Sequence, residues 1–132
     1  MAKRGFQTEE SGRASGSPAF REEIVRRTLL FDFYGELLTE HQREVYDAVI
    51  LQDLGYSEAA GDFGVSRQGI HDLVKRSTKQ LTEYESKLHL VERFLKIRNE
   101  VTEIRALSGK DHFSPGDARA VTEICDRILG EL

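Results

Sequence analysis

Six side chains between residues 67 and 79 have the chemistry to read a nucleic acid: Arg67, Gln68, His71, Lys75, Arg76 and Lys79. On a helix of 3.6 residues per turn their spacing brings them to one side. Glutamine can pair bidentately with adenine, arginine with guanine, and lysine with phosphate. Ser66, just ahead of them, can offer its hydroxyl to a phosphate near the positive end of the helix dipole. His71 reads as a solvent-facing or phosphate-side residue rather than a catalyst. Asp72 sets one negative charge among these groups.

Such a face is useful only if something holds it rigidly outward. A helix-turn-helix does so with two short helices crossing steeply, and needs a small residue at the crossing, a turn residue tolerant of positive φ, and apolar anchors on the second helix. The stretch "GYSEAAGDFGVSRQGIHDLVKR" supplies Ala60 as the small residue, Gly64 as the turn, and Val65, Ile70 and Leu73 as anchors. Ser57 reads as the cap of a first helix, Glu58 to Phe63, and Ser66 as the cap of the second. The competing reading is a simple bend in a helical bundle with a charged outer face. Gly61 and Gly69 favour that reading, since each lies inside a helical pattern at a cost of roughly 1 kcal/mol relative to alanine.

Charge is distributed unevenly. The 132-residue chain carries a net charge of −4, which argues against indiscriminate coating of nucleic acid by phosphate neutralisation. Residues 21–62 hold four arginines against ten acidic residues, whereas residues 64–80 hold Arg67, Lys75, Arg76 and Lys79 against Asp72. The sign reverses at the proposed turn. Hydrophobic residues make up 39% and charged residues 32%, with two prolines and no tryptophan, a composition suited to a helix-rich soluble protein. The single cysteine, Cys125, excludes an intramolecular disulfide and a thiolate cluster, and its place on an apolar helical face reads as core. No apolar run reaches the roughly 20 residues that span a bilayer. Residues 1–20 lack the apolar stretch of a signal peptide. A cytoplasmic protein with no membrane partner is the expectation.

The rest of the chain reads as helices. The Gly/Ser-rich residues 1–20 predict a flexible tail. A helix from about Arg21 to Tyr34 follows, with Ile24, Val25, Thr28, Phe31 and Tyr34 at spacings of three and four and Gly35 marking its exit. Thr39 and Gln42 have the spacing of a capping box opening a second helix, whose buried face is Val45, Tyr46, Val49 and Ile50. In the helix after Ser66 the apolar spacing runs through Ile70, Leu73, Val74, Leu81, Tyr84 and Leu88, and His89 marks a break. Val91, Phe94, Ile97, Val101 and Ile104 form a further stripe, predicted to pack on the last helix or on another subunit. A loop, "SGKDHFSPGD", leads into a last amphipathic helix with Val121, Ile124, Cys125 and Ile128 on one side. The fold class is therefore all-α: a small bundle of five or six helices containing a helix-turn-helix. It divides into the tail, a helix-turn-helix domain over residues 21–107, and a loop with a C-terminal helix over 108–132.

Residues 29–94 resemble the YlxM family, small bacterial helix-turn-helix proteins similar to the DNA-binding end of sigma factors and typically encoded beside signal recognition particle genes. The strings "FDFYGELLTEHQRE", "VSRQGIHD", "KR" and "YESKLHL" carry the resemblance. At Ala59, Gly69 and His71 the chain departs from the family's usual Ile, Ala and Tyr. The resemblance implies a DNA-binding regulator or an accessory of the signal recognition particle pathway.

No catalytic pattern competes. His41, His71, His89 and His112 lack metal-ligand spacing, and there is no HExxH, phosphate-binding loop or dinucleotide fingerprint. The string "DFG" at Asp62 to Gly64 stands without any companion kinase motif. The expectation is a non-enzymatic protein without cofactor or metal, reading double-stranded DNA through Ser66, Arg67, Gln68, His71, Lys75, Arg76 and Lys79. The alternative is a module binding a protein or RNA of the signal recognition particle. A homodimer is a further expectation, since helix-turn-helix proteins commonly pair to meet two half-sites.

Overall fold

The computed structural model describes residues 17–132, so most of the expected tail lies outside the described residues. Among the described residues there are six α-helices and no strand: α1 (Pro18–Tyr34), α2 (Glu40–Tyr46), α3 (Tyr56–Phe63), α4 (Arg67–Leu88), α5 (Leu90–Ser108) and α6 (Pro115–Glu131). The all-α class read from the sequence is the class observed. Two compact units divide this chain, the first ending at Leu88 and the second running from His89 to Leu132.

Helix α1 starts three residues before Arg21. Ser17 accepts the Phe20 N–H at 3.0 Å, and Pro18 occupies the first turn, where its missing N–H costs nothing. Gly35 ends α1 without a left-handed turn, at φ −58°. It is a close-approach glycine, since a Cβ there would stand 3.2 Å from the Phe31 ring. The Thr39 capping box forms as expected: Thr39 Oγ1 accepts the Gln42 N–H, and Gln42 Oε1 accepts the Thr39 N–H at 3.0 Å. What reads as one long helix after it is α2 followed by a single wide π turn, Asp47–Leu51.

The core of the first unit gathers Val45 and Val49, Ala59 of α3, and Ile70, Leu73 and Val74 of α4. Val45, Ala59 and Ile70 have no exposed surface. Two side-chain bonds fasten α4 to its neighbours: Gln42 Nε2 donates to Gln80 Oε1 at 2.7 Å, and the Tyr34 hydroxyl donates to Glu85 Oε1 at 2.7 Å in a buried setting. Tyr46, stacked on Phe31 with ring centroids 5.4 Å apart, has its hydroxyl pKa pushed up by burial.

His89 adopts a left-handed conformation, φ 56°, between α4 and α5, and so realises the break that its position suggested. In the second unit α5 packs on α6, one of the two partners expected for the Val91 to Ile104 stripe, of which Val91 is buried while Phe94 and Val101 stay exposed. Ion pairs Lys96–Glu131 at 2.7 Å and Arg127–Glu103 at 3.8 Å join the two helices. Hydrogen bonding to Glu131 holds the Lys96 ammonium above its ordinary pKa. Ser114 caps α6 in a second capping box with Asp117, whose carboxyl is held below its ordinary range by the Ser114 backbone N–H and then by Lys110. Ile124 is buried, Cys125 is half-buried, and Val101 remains 50% exposed.

Candidate nucleic-acid interface

The turn between α3 and α4 is set by one residue. Gly64 sits at φ 70°, ψ 31°, and its N–H returns to the Ala60 carbonyl. The Val65 N–H reaches the same carbonyl at 3.1 Å, the six-residue closure of a Schellman motif, with Ala60 and Val65 both packed on the core cluster. A side chain at φ 70° is strained, and a β-branched one most of all. Gly64→Val should therefore cost about 1 to 2 kcal/mol, read as a lower melting temperature; an unchanged melting temperature would contradict the turn.

Two local assignments differ from the sequence reading. The fully buried small residue is Ala59, with Ala60 only partly covered. One position turns a helical side chain by about 100°, so a crossing face cannot be fixed from a pair of adjacent alanines. The cap of α3 is Gly55, whose carbonyl accepts the Ala59 N–H at 2.8 Å, instead of Ser57. Ser66 caps α4 as read: its Oγ accepts the Gly69 N–H at 2.9 Å. That leaves the hydroxyl proton able to donate to an anion.

From Arg67 onward the anchors and the polar residues separate cleanly. Ile70, Leu73, Val74, Ser77 and Leu81 are buried, while Ser66, Arg67, Gln68, His71, Asp72, Lys75, Arg76 and Lys79 are all exposed. Gln68, Asp72, Lys75 and Lys79 share one row opposite the core, rising about 16 Å from first to last at 1.5 Å per residue. Arg67 and His71 flank the row on one side and Arg76 on the other. Among the described residues, Arg67, Lys75, Arg76 and Lys79 share no ion pair. Their charges therefore face solvent unneutralised.

The first two turns of α4 are more organised than residue types reveal. Gln68 Nε2 donates to Asp72 Oδ1 at 3.0 Å, and His71 Nδ1 lies 3.8 Å from the same oxygen. The His71 ring meets Tyr56 of α3 edge-on, with centroids 5.8 Å apart. Tyr56 was not among the residues read as functional. The Gln–Asp spacing of four, which stabilises helices by such a bond, was the available signal for the Asp72 contact.

A short helix, a left-handed glycine turn and a longer helix whose outer row is basic and amide-bearing define a helix-turn-helix protein. The chain belongs to the UPF0122 family: residues 21–115 match the family model described as "putative helix-turn-helix protein, YlxM / p13 like". UPF0122 proteins of Bacillus thuringiensis (strain Al Hakam), Bacillus mycoides (strain KBAB4) and Bacillus anthracis (strain A0248) are each 35% identical over 107 residues. Those alignments cover 81% of this chain and 97% of each relative. The match runs from Arg21 in α1 through the whole of α5. No helix among the described residues is long and apolar enough to cross a membrane.

Proposed function

We propose that this protein is a non-enzymatic, cytoplasmic regulator that binds double-stranded DNA, with α4 entering the major groove. The observation that carries the reading is the exposed face of α4: four cations in no ion pair, with the Gln68 amide and Asp72 among them, on a helix locked from behind by Ile70, Leu73 and Val74. Phosphate contacts by Ser66, His71, Lys75, Arg76 and Lys79 set register and supply affinity, while Arg67 and Gln68, nearer the helix start, meet base edges. The test is a binding titration on duplex DNA across salt concentrations. Lys75→Ala and Lys79→Ala should each weaken binding to all sequences alike and lower the log–log salt slope by about one unit. Salt-independent binding, or variants indistinguishable from the parent, would contradict it.

A homodimer belongs to the same reading, because two α4 helices one turn of duplex apart would meet two half-sites. Ion pairs occupy one edge of the α5–α6 pair, while Val101 at 50% and Leu132 at 80% stay exposed. Sedimentation should give twice the monomer mass for the parent and a shift towards monomer for Val101→Asp. A parent that sediments as a monomer at every concentration would remove the dimer.

A second reading rests on the exposed Glu36, just ahead of α2, and Glu40 and Glu44 on it. There the protein is an interaction module for a protein or RNA component of the signal recognition particle. Charge reversal at these three positions would then disturb partner binding, and the lysine substitutions on α4 would leave DNA affinity unchanged.

A further inference from the structure

We infer that Asp72 is a positioning residue for sequence discrimination: it holds the Gln68 amide in the orientation that matches adenine, and its charge weakens binding to any duplex. The inference rests on the DNA-binding reading above and specifies how that site selects its target.

The orientation follows from donor chemistry. An ionised carboxylate only accepts hydrogen bonds, so the Gln68 group facing Asp72 Oδ1 at 3.0 Å must be the amide nitrogen. The Nε2 group has two protons. With one committed to Asp72, the other proton and Oε1 form an edge that donates and accepts side by side. Adenine presents the complement in the major groove, an N7 acceptor next to an N6 donor. Without Asp72 the amide rotates between two orientations, and only one pairs with adenine. The anchor is short: the bond spans one helical turn, and both residues stand on a helix whose opposite face is closed at Ile70, Leu73 and Val74.

The setting supports this role over an incidental surface contact. His71 lies 3.8 Å from the same Asp72 oxygen and is braced against the Tyr56 ring, so two side chains, Gln68 and His71, stand beside that oxygen. Asp72 is also the single acidic residue between Arg67 and Lys79. It stands in the row with Gln68, Lys75 and Lys79, where a negative charge opposes backbone attraction. Any duplex can satisfy the lysines. Only one with adenine at the right step also engages the oriented amide.

Two variants separate the parts of the inference. Asp72→Asn removes the charge and replaces the acceptor-only carboxylate with an amide that can donate as well as accept; Asp72→Ala removes the partner altogether. The parent, Asp72→Asn, Asp72→Ala and Gln68→Ala are titrated against a duplex selected from a random pool by the parent and against a scrambled duplex. Circular dichroism melts confirm that each variant is folded. Both Asp72 variants should bind the scrambled duplex several-fold more tightly than the parent. The ratio of selected to scrambled affinity should fall by about twofold in Asp72→Ala, where one of the two amide orientations stays competent, and by no more than that in Asp72→Asn. In the selected sequence, replacing the contacted adenine should abolish the difference between parent and Gln68→Ala. A parent that discriminates, with Asp72→Ala discriminating equally well, overturns the inference alone. A parent that binds neither duplex at low salt overturns the DNA-binding reading and the inference together.

Discussion

Ile70→Ala should lower the free energy of unfolding by about 2 to 5 kcal/mol. Ile70 has no exposed surface and lies in the cluster of Val45, Val49, Ala59, Leu73 and Val74, where α4 is held against the rest of its unit. Truncation to alanine removes three carbons from a site lined by three valines, Val45, Val49 and Val74, which cannot rotate freely to fill the gap. Alanine's better helix propensity returns at most about 0.7 kcal/mol. Domains of this size are stable by only about 5 to 15 kcal/mol, so the loss is a large share of the total. Urea denaturation should show a lower midpoint with an unchanged slope. Leu88→Ala is the matched control: Leu88 is 48% exposed and should cost well under half as much. Equal losses at the two positions would contradict the packing described here.

That pair also shows what the sequence could and could not convey. Ile70 and Leu88 belong to one apolar stripe at helical spacing, and periodicity alone assigns them the same face. Depth depends on which helices lie across that face. At Ile70, α2 and α3 do, whereas Leu88 stands at the last residue of α4, next to the left-handed His89. The stops and caps with a strong local cause were legible: Gly64 in its left-handed turn, the Thr39 box, Ser66 and His89. The choices between near neighbours were not. Ala59 against Ala60, and Gly55 against Ser57, are decided by how α3 sits on the core. The π turn after Tyr46 has no sequence mark, because Asp47 to Leu51 continues the helical pattern without a glycine or proline.

For the interface, residue types and spacing placed all seven polar candidates on the surface of α4 and at its cap. They did not reveal the bond between Gln68 and Asp72. Asp72 reads as an unfavourable charge when each side chain is taken separately, and as a partner only when the two are seen one turn apart.

Gln68→Ala carries the second large effect. Its amide stands near the start of α4, where base edges are met, and a good bidentate pair is worth about 1 to 3 kcal/mol of discrimination. The lysines further along the row act on phosphates and are indifferent to sequence. The decisive measurement is therefore a titration of parent and Gln68→Ala against the parent's preferred duplex and a scrambled one, repeated at several salt concentrations. The account predicts that Gln68→Ala loses about 1 to 3 kcal/mol on the preferred duplex, almost nothing on the scrambled one, and keeps the parent's salt slope. Equal affinity of parent and variant for the preferred duplex, or a parent that binds neither duplex, would contradict the assignment of α4 as a reader of DNA.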